Sequence, residues 1–218
     1  VRTLLDRGRP VCVTGSNASL LGRELGSTLT GRHLSFEVSP FSYPEYLAFT
    51  GRKPGRASLV AHLQDGGFPG YLRERDPRVL QELLRDVIQR DLAVRHRLRE
   101  TRHAMNLALF LLANTGQPCS LQSLTKALEV PAVAQTGRYL EFLEDAYLLF
   151  GLPKFNPSFR KRVVAPKKYY AVDNGLRTAV SPRATPDLGR RLENAVYLEL
   201  RRRGSRISWA GEKDAWEC

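Results

Sequence analysis

The chain has 218 residues, 42% of them hydrophobic, and a formal net charge of +12 at neutral pH. That length supplies one or two modest cores, and the longest apolar run, Leu107 to Ala113, is far too short to span a bilayer. Three scattered cysteines (Cys12, Cys119, Cys218) and four scattered histidines make neither a disulfide framework nor a metal spacing, so no metal site is expected.

No charged start, apolar core and cleavage site marks a signal peptide, and a reducing cytoplasm is the expected compartment, with no membrane partner. The positive charge favours a polyanion. It is unevenly spread: Ala146 to Val172 contains no acid, while Lys154, Arg160, Lys161, Arg162, Lys167 and Lys168 fall inside it. A second cluster holds Arg201, Arg202, Arg203 and Arg206. The chain begins inside what reads as a helix end and stops as a strand begins, so it reads as an internal fragment of a longer protein.

In chain order, Pro10 to Thr14 reads as a buried strand. "VTGSNASLLGRELGSTLTGR" follows, Val13 to Arg32. Strand, glycine turn and helix is the outline of a phosphate loop, but G-x-x-x-x-G-K-[ST] and G-x-G-x-x-G are both absent, and the first lysine is Lys53. Ser16 or Asn17 can cap the helix, Leu21, Leu25 and Leu29 share one face, and Gly31 ends it. His33 to Val38 alternates as a second strand. Ser42 and Glu45 have capping-box spacing, with Pro44 suited to a first helical turn.

After a Gly- and Arg-rich loop the chain is mostly helical, interrupted by "GGFPGYL". A helix is expected from Pro77 to about His96 with a Val, Leu and Ile stripe, and another over Thr101 to Ala113. Ser120 caps a short helix, Val130-Pro131 turns, and a second helix carries Val133, Tyr139, Leu140, Leu143 and Tyr147. Two apolar runs, Leu148 to Leu152 and Tyr169 to Val172, flank the basic loop. Helix, turn, helix and a hairpin with a basic tip is a winged-helix pattern. Arg160, Lys161 and Arg162 are its candidate phosphate contacts; a solvated basic loop is the plain alternative. The second helix carries Glu141, Glu144 and Asp145, which a phosphate backbone repels, so sequence-specific reading by it is not expected. A last helix is expected over Asp187 to Arg203, followed by a hairpin.

The ordered set "VTGSNASLL", "PFSYPEYL", "GGFPGYL", "RDVIQRDL", "YLEFLEDAYLL", "KKYYAVDNGL" and "LENAVYLELRRRG…WEC" resembles bacterial and archaeal AAA+-like ATPases that carry domain of unknown function 4143. The resemblance runs over essentially the whole chain. It implies a parent ATPase using ATP and Mg2+, whose P-loop and acidic magnesium strand precede this region. It makes "VCVTGS" the sensor 1 strand, with Thr14, Ser16 and Asn17 the groups available to orient an attacking water. Arg32 takes the place of an arginine finger, which implies a homo-oligomer; the plain alternative is a cation closing a helix. The end resembles the opening of a PD-(D/E)xK nuclease-like fold, with Glu193 as the helix acid. Glu193-Asn194 equally fits a structural pair.

The expected class is mixed α/β and α. Residues 1–50 form the C-terminal part of an AAA+-like α/β core and 51–117 a helical lid or connector. Residues 118–180 form a winged-helix-like segment and 181–218 a truncated nuclease-like domain. The expected function is that of an internal piece of an ATP-binding protein, incomplete as a nucleotide site and inactive alone. The alternatives are a nonspecific nucleic-acid-binding module and part of a metal-dependent nuclease.

Overall fold

The computed structural model describes residues 2–15, 34, 36–92, 101–181 and 187–211. A short helix, α1 (Arg2–Asp6), comes first. Pro10 to Thr14, expected as a buried strand, is irregular and mostly exposed. The second expected strand is also bare: Leu34, Phe36 and Val38 are 85%, 83% and 93% exposed. Their alternation puts all three on one side of an extended chain, the pattern of a strand that packs one face on a core. Among the described residues the segment has no paired neighbour, and so neither ladder hydrogen bonds nor a second layer to cover it.

Local chemistry sets the helices that follow. α2 (Tyr43–Thr50) starts at Ser42, whose backbone N–H donates to the Glu45 carboxylate at 2.7 Å, with Pro44 in the first turn. α3 (Arg56–Asp65) packs beside it, and α4 (Pro69–Glu74) follows. α5 (Pro77–Asp86) is capped by Asp76, whose Oδ1 accepts from the Arg78 N–H at 2.9 Å. Leu80 and Leu84, then Val87 and Ile88 in the π-helical turn Val87–Leu92, face inward at helical spacing. α6 (Arg102–Ala113) buries Ala104, Leu107, Ala108, Leu111 and Leu112. Each such leucine adds about 1.5–3 kcal/mol of burial.

β1 (Pro118–Cys119), α7 (Leu121–Ala127) and α8 (Val133–Asp145) come next. Ser120 caps α7 by accepting from the Ser123 N–H at 3.1 Å. β2 (Leu149–Leu152) and β3 (Lys167–Ala171) pair antiparallel, with Leu149 opposite Ala171 and Leu152 opposite Lys168. β1 joins the other edge of β3, giving the order β1-β3-β2. Between β2 and β3, where only a basic loop was expected, stands a short helix, α9 (Phe159–Val164). Asn156 turns the chain into it by accepting from the Ser158 N–H at 2.9 Å.

α10 (Asn174–Val180) follows β3 directly and packs on α3, α5 and α6; α11 (Leu188–Arg202) then packs on α3 and β3. The helices before β1 and the sheet unit after it therefore share one hydrophobic core, running from Leu80 to Ala179. The alternation of β3 divides its side chains. Tyr169 and Ala171 enter this core, while Tyr170 joins a smaller one with Leu152, Tyr197 and Trp209. There the Tyr170 and Tyr197 rings stack at 4.1 Å. Among the described residues no helix is long and apolar enough to cross a membrane.

Candidate functional site

Of the three sensor 1 candidates and the arginine-finger candidate, only Thr14 is described, and it is exposed on irregular chain. Ser16, Asn17 and Arg32 lie outside the described residues. The donor set does not by itself fit ATP and Mg2+. Thr14 offers one hydroxyl, and no lysine precedes Lys53 to reach the outer phosphates.

Two motifs far apart in sequence meet in one buried junction. The Asp173 carboxylate caps α10, accepting from the Leu176 N–H at 3.0 Å, and also takes the Gly67 N–H at 2.6 Å. A Cβ on Gly66 would stand 2.1 Å from Asp173 Oδ1, one on Gly67 would stand 2.3 Å from the Phe41 carbonyl oxygen, and one on Gly175 would stand 2.0 Å from the Asp65 carbonyl oxygen. Only glycine permits these approaches. Burial pushes the Asp173 carboxyl up to about 6, against the pull of the Gly67, Leu176 and Gly175 N–H groups.

Glu193 and Asn194 of α11 both face β3. Tyr170 donates to Glu193 Oε1 at 2.8 Å, and the buried Lys168 ammonium donates to the same oxygen at 3.2 Å. Asn194, fully buried, accepts from the Ala171 N–H at 2.9 Å and donates to the Ala171 carbonyl at 3.2 Å. It also donates to Asn174 Oδ1 at 3.2 Å, while Asn174 donates to the Arg191 carbonyl at 2.9 Å. The geometry is that of a fastener between α11, β3 and α10. No group of three or more His, Cys, Asp or Glu that could hold a metal occurs among the described residues.

The two basic clusters have different fates. Arg201 pairs with Glu37 at 2.5 Å and lies 4.0 Å from the Phe150 ring centroid. Arg202 reaches Glu45 at 3.2 Å and the Pro40 carbonyl at 2.9 Å, and Arg203 pairs with Glu199 at 2.7 Å. Arg201 and Arg202 thus tie α11 to residues 37–45, while Arg203 pairs within α11 and Arg206 is exposed. Arg160, Lys161 and Arg162 stand exposed on α9 with no acidic partner among the described residues. The Arg162 guanidinium sits over the Phe159 ring, 5.3 Å from its centroid.

On α8, Glu144 turns inward and accepts from the Gly151 N–H at 2.9 Å. Burial pushes its carboxyl up, against Lys167 and that N–H. Glu141 stays exposed. The sequence reading passed over the exposed aromatic rings at this tip, Phe155 and Phe159. The signal lay in aromatic residues embedded in the acid-free basic stretch.

A family model described as an AAA domain matches residues 1–47, and one described as a domain of unknown function (DUF8612) matches residues 56–187. An uncharacterised protein of Haemophilus influenzae is 30% identical over 219 residues, covering 95% of this chain and 54% of its own length. An uncharacterised protein of Methanocaldococcus jannaschii is 31% identical over 223 residues, covering 94% of this chain and 50% of its own length. The chain thus spans about half the length of the curated relatives it matches. No solved structure matches it.

Proposed function

We propose, for a chain that belongs to the family of the domain of unknown function DUF8612, that it is the middle part of an AAA-like ATP-binding protein. The bare face of Leu34, Phe36 and Val38, inside the AAA-matched segment, carries this reading. A sheet belonging to the longer protein would cover that face. Thr14, Ser16 and Asn17 then form the far wall of a nucleotide site, and Arg32 reaches the nucleotide of a neighbouring copy. The nucleotide-facing half of the site, with its lysine and magnesium ligand, comes from outside this chain. The relation to domain of unknown function 4143 and to a truncated AAA+ core belongs to this same proposal.

The 218-residue chain is expected to show no ATP turnover above blank in a phosphate-release assay. In the whole protein, Arg32→Ala is expected to lower turnover by about a thousandfold. Turnover by the 218-residue chain alone overturns the reading that its nucleotide site is incomplete. An unchanged rate in the Arg32 variant removes the finger alone.

A second reading is favoured by the unpaired cations on α9: nonspecific contact with nucleic-acid phosphates. The order helix, strand, helix, helix, strand, strand, with β3 between β1 and β2, supports a winged-helix unit with α9 at the wing tip. For Glu193 we assign the fastener role rather than that of a nuclease acid, because Lys168 and Tyr170 already occupy its carboxylate. Glu193→Gln is expected to cost about 1 kcal/mol in a urea melt, and Mg2+ is expected to leave both melts unchanged. A Mg2+ stabilisation seen in the unmodified chain and absent in the variant would restore the metal reading.

A further inference from the structure

The tip between β2 and β3 exposes apolar side chains in a way that phosphate contact alone does not explain. Phe155, Phe159, Val163 and Val164 are 61%, 70%, 60% and 76% exposed, all within ten residues. Single exposed apolar residues need no account, whereas a cluster marks a surface that meets something. Nor is the tip a loose end. Its base is braced against the segment after α11: Phe155 N–H donates to the Trp209 carbonyl at 2.7 Å, and Trp209 N–H to the Pro153 carbonyl at 3.2 Å. Lys154 covers the Trp209 ring at 5.1 Å. The Asn156 turn and the backbone bonds from Arg162 to Ser158 and from Ala165 to Lys161 then set α9. Two aromatic rings are thus held out, four residues apart, on a support that is itself buried.

Three occupants compete for an apolar and cationic tip. A lipid surface requires the apolar and cationic groups on opposite faces of a helix. On α9, at about 100° per residue, Phe159 and Val163 share one face, but Val164 falls between Arg160 and Lys161 and the Arg162 guanidinium sits over the Phe159 ring, so cationic and apolar groups are mixed rather than segregated. Duplex DNA keeps its base faces stacked away from such rings. The helix that would enter its groove, α8, also carries exposed Glu141. Single-stranded nucleic acid offers what the tip displays, phosphates alternating with free base faces, and proteins bind it by combining cations with stacking rings.

We infer that this tip binds single-stranded nucleic acid, with bases stacking on Phe155 and Phe159 and phosphates held by Arg160, Lys161 and Arg162. The inference rests on the nucleic-acid reading of the wing and adds the substrate class. It needs no particular base sequence, because every base has a face to stack.

The test is fluorescence anisotropy of the 218-residue chain with labelled oligothymidylate and with a duplex of equal length, across a salt series. The single strand is expected to bind more tightly. Phe155→Ala and Phe159→Ala are each expected to weaken it about tenfold, leaving the salt slope unchanged. Phe155→Trp and Phe159→Trp are expected to keep binding. Both rings are exposed, so circular dichroism is expected to show unaltered folding in all four variants. Lys161→Glu with Arg162→Glu is expected to reduce both affinity and salt slope. Equal binding of duplex and single strand, with the ring variants silent and the charge variants weak, overturns stacking and leaves phosphate contact standing. Failure of both oligonucleotides to bind overturns the nucleic-acid reading itself. Ring-dependent binding to vesicles of phosphatidylcholine and phosphatidylserine in equal parts, without oligonucleotide binding, overturns the proposal in favour of lipid.

Discussion

Gly66→Ala is expected to destabilise the chain by about 4 kcal/mol, read as a lowered urea midpoint with an unchanged slope. Two independent costs meet at this position. The backbone holds φ 72° and ψ −159°, a region essentially reserved for glycine. The added methyl also enters the space of the buried Asp173 carboxylate, 2.1 Å from Oδ1. That carboxylate cannot retreat without releasing the Gly67 and Leu176 N–H groups it accepts from. Gly70→Ala is the control: its Cβ would meet only Val79, at an ordinary 3.8 Å, so little change is expected. Equal melts for the two variants would show that the junction does not hold the fold.

The same junction carries a pH signature. Folding moves the Asp173 carboxyl from its ordinary 3.8 to about 6, so the folded chain holds that proton more tightly than the unfolded one. Its stabilising contribution is complete below 3.8 and is lost as pH rises through about 6. Unfolding free energy measured between those limits should fall for the unmodified chain by an amount absent from Asp173→Asn, which cannot ionise. Parallel profiles would mean that the carboxyl titrates normally.

Asn194→Leu is expected to cost about 4 kcal/mol, again by urea melting. Leucine keeps the branched shape, with bulkier methyl groups, but leaves the Ala171 N–H, the Ala171 carbonyl and Asn174 Oδ1 each without the partner shown here. Each lost partner costs about 1–3 kcal/mol where water cannot replace it. Because Asn174 belongs to the same network, Asn174→Ala combined with Asn194→Leu should cost less than the two single changes added together. Strict additivity would mean that the two amides act separately.

Much of the fold could be read locally. Pro77 behind Asp76, Ser120 before its leucines and the spacing of Leu80, Leu84, Val87 and Ile88 all act within a few residues. Helices were therefore legible from Tyr43 to Asp86 and over Arg102–Ala113, and, α9 apart, helices and apolar runs from Ser120 to Ala171. The two N-terminal strands were not, because pairing depends on neighbours that the described residues do not supply. "GGFPGYL" read only as an interruption, since the carboxylate that crowds Gly66 and accepts the Gly67 N–H stands 106 residues from Gly67.

The amino-acid sequence determined on its own where helices begin, which faces are apolar, that Ala146 to Val172 carries only positive charge, and that this chain lacks a phosphate loop. These follow from propensity, capping, periodicity and the presence or absence of a side chain. Tertiary structure alone decided which charges are spent and which are free. Arg201 and Arg202 are neutralised by Glu37 and Glu45, while Arg160, Lys161 and Arg162 are held into solvent beside two exposed rings. Glu193, a candidate acid in sequence, is held by Lys168 and Tyr170 across the β3 face. The reason is physical: an ion pair or a buried amide is a distance between groups remote in sequence, and only the packed chain sets that distance.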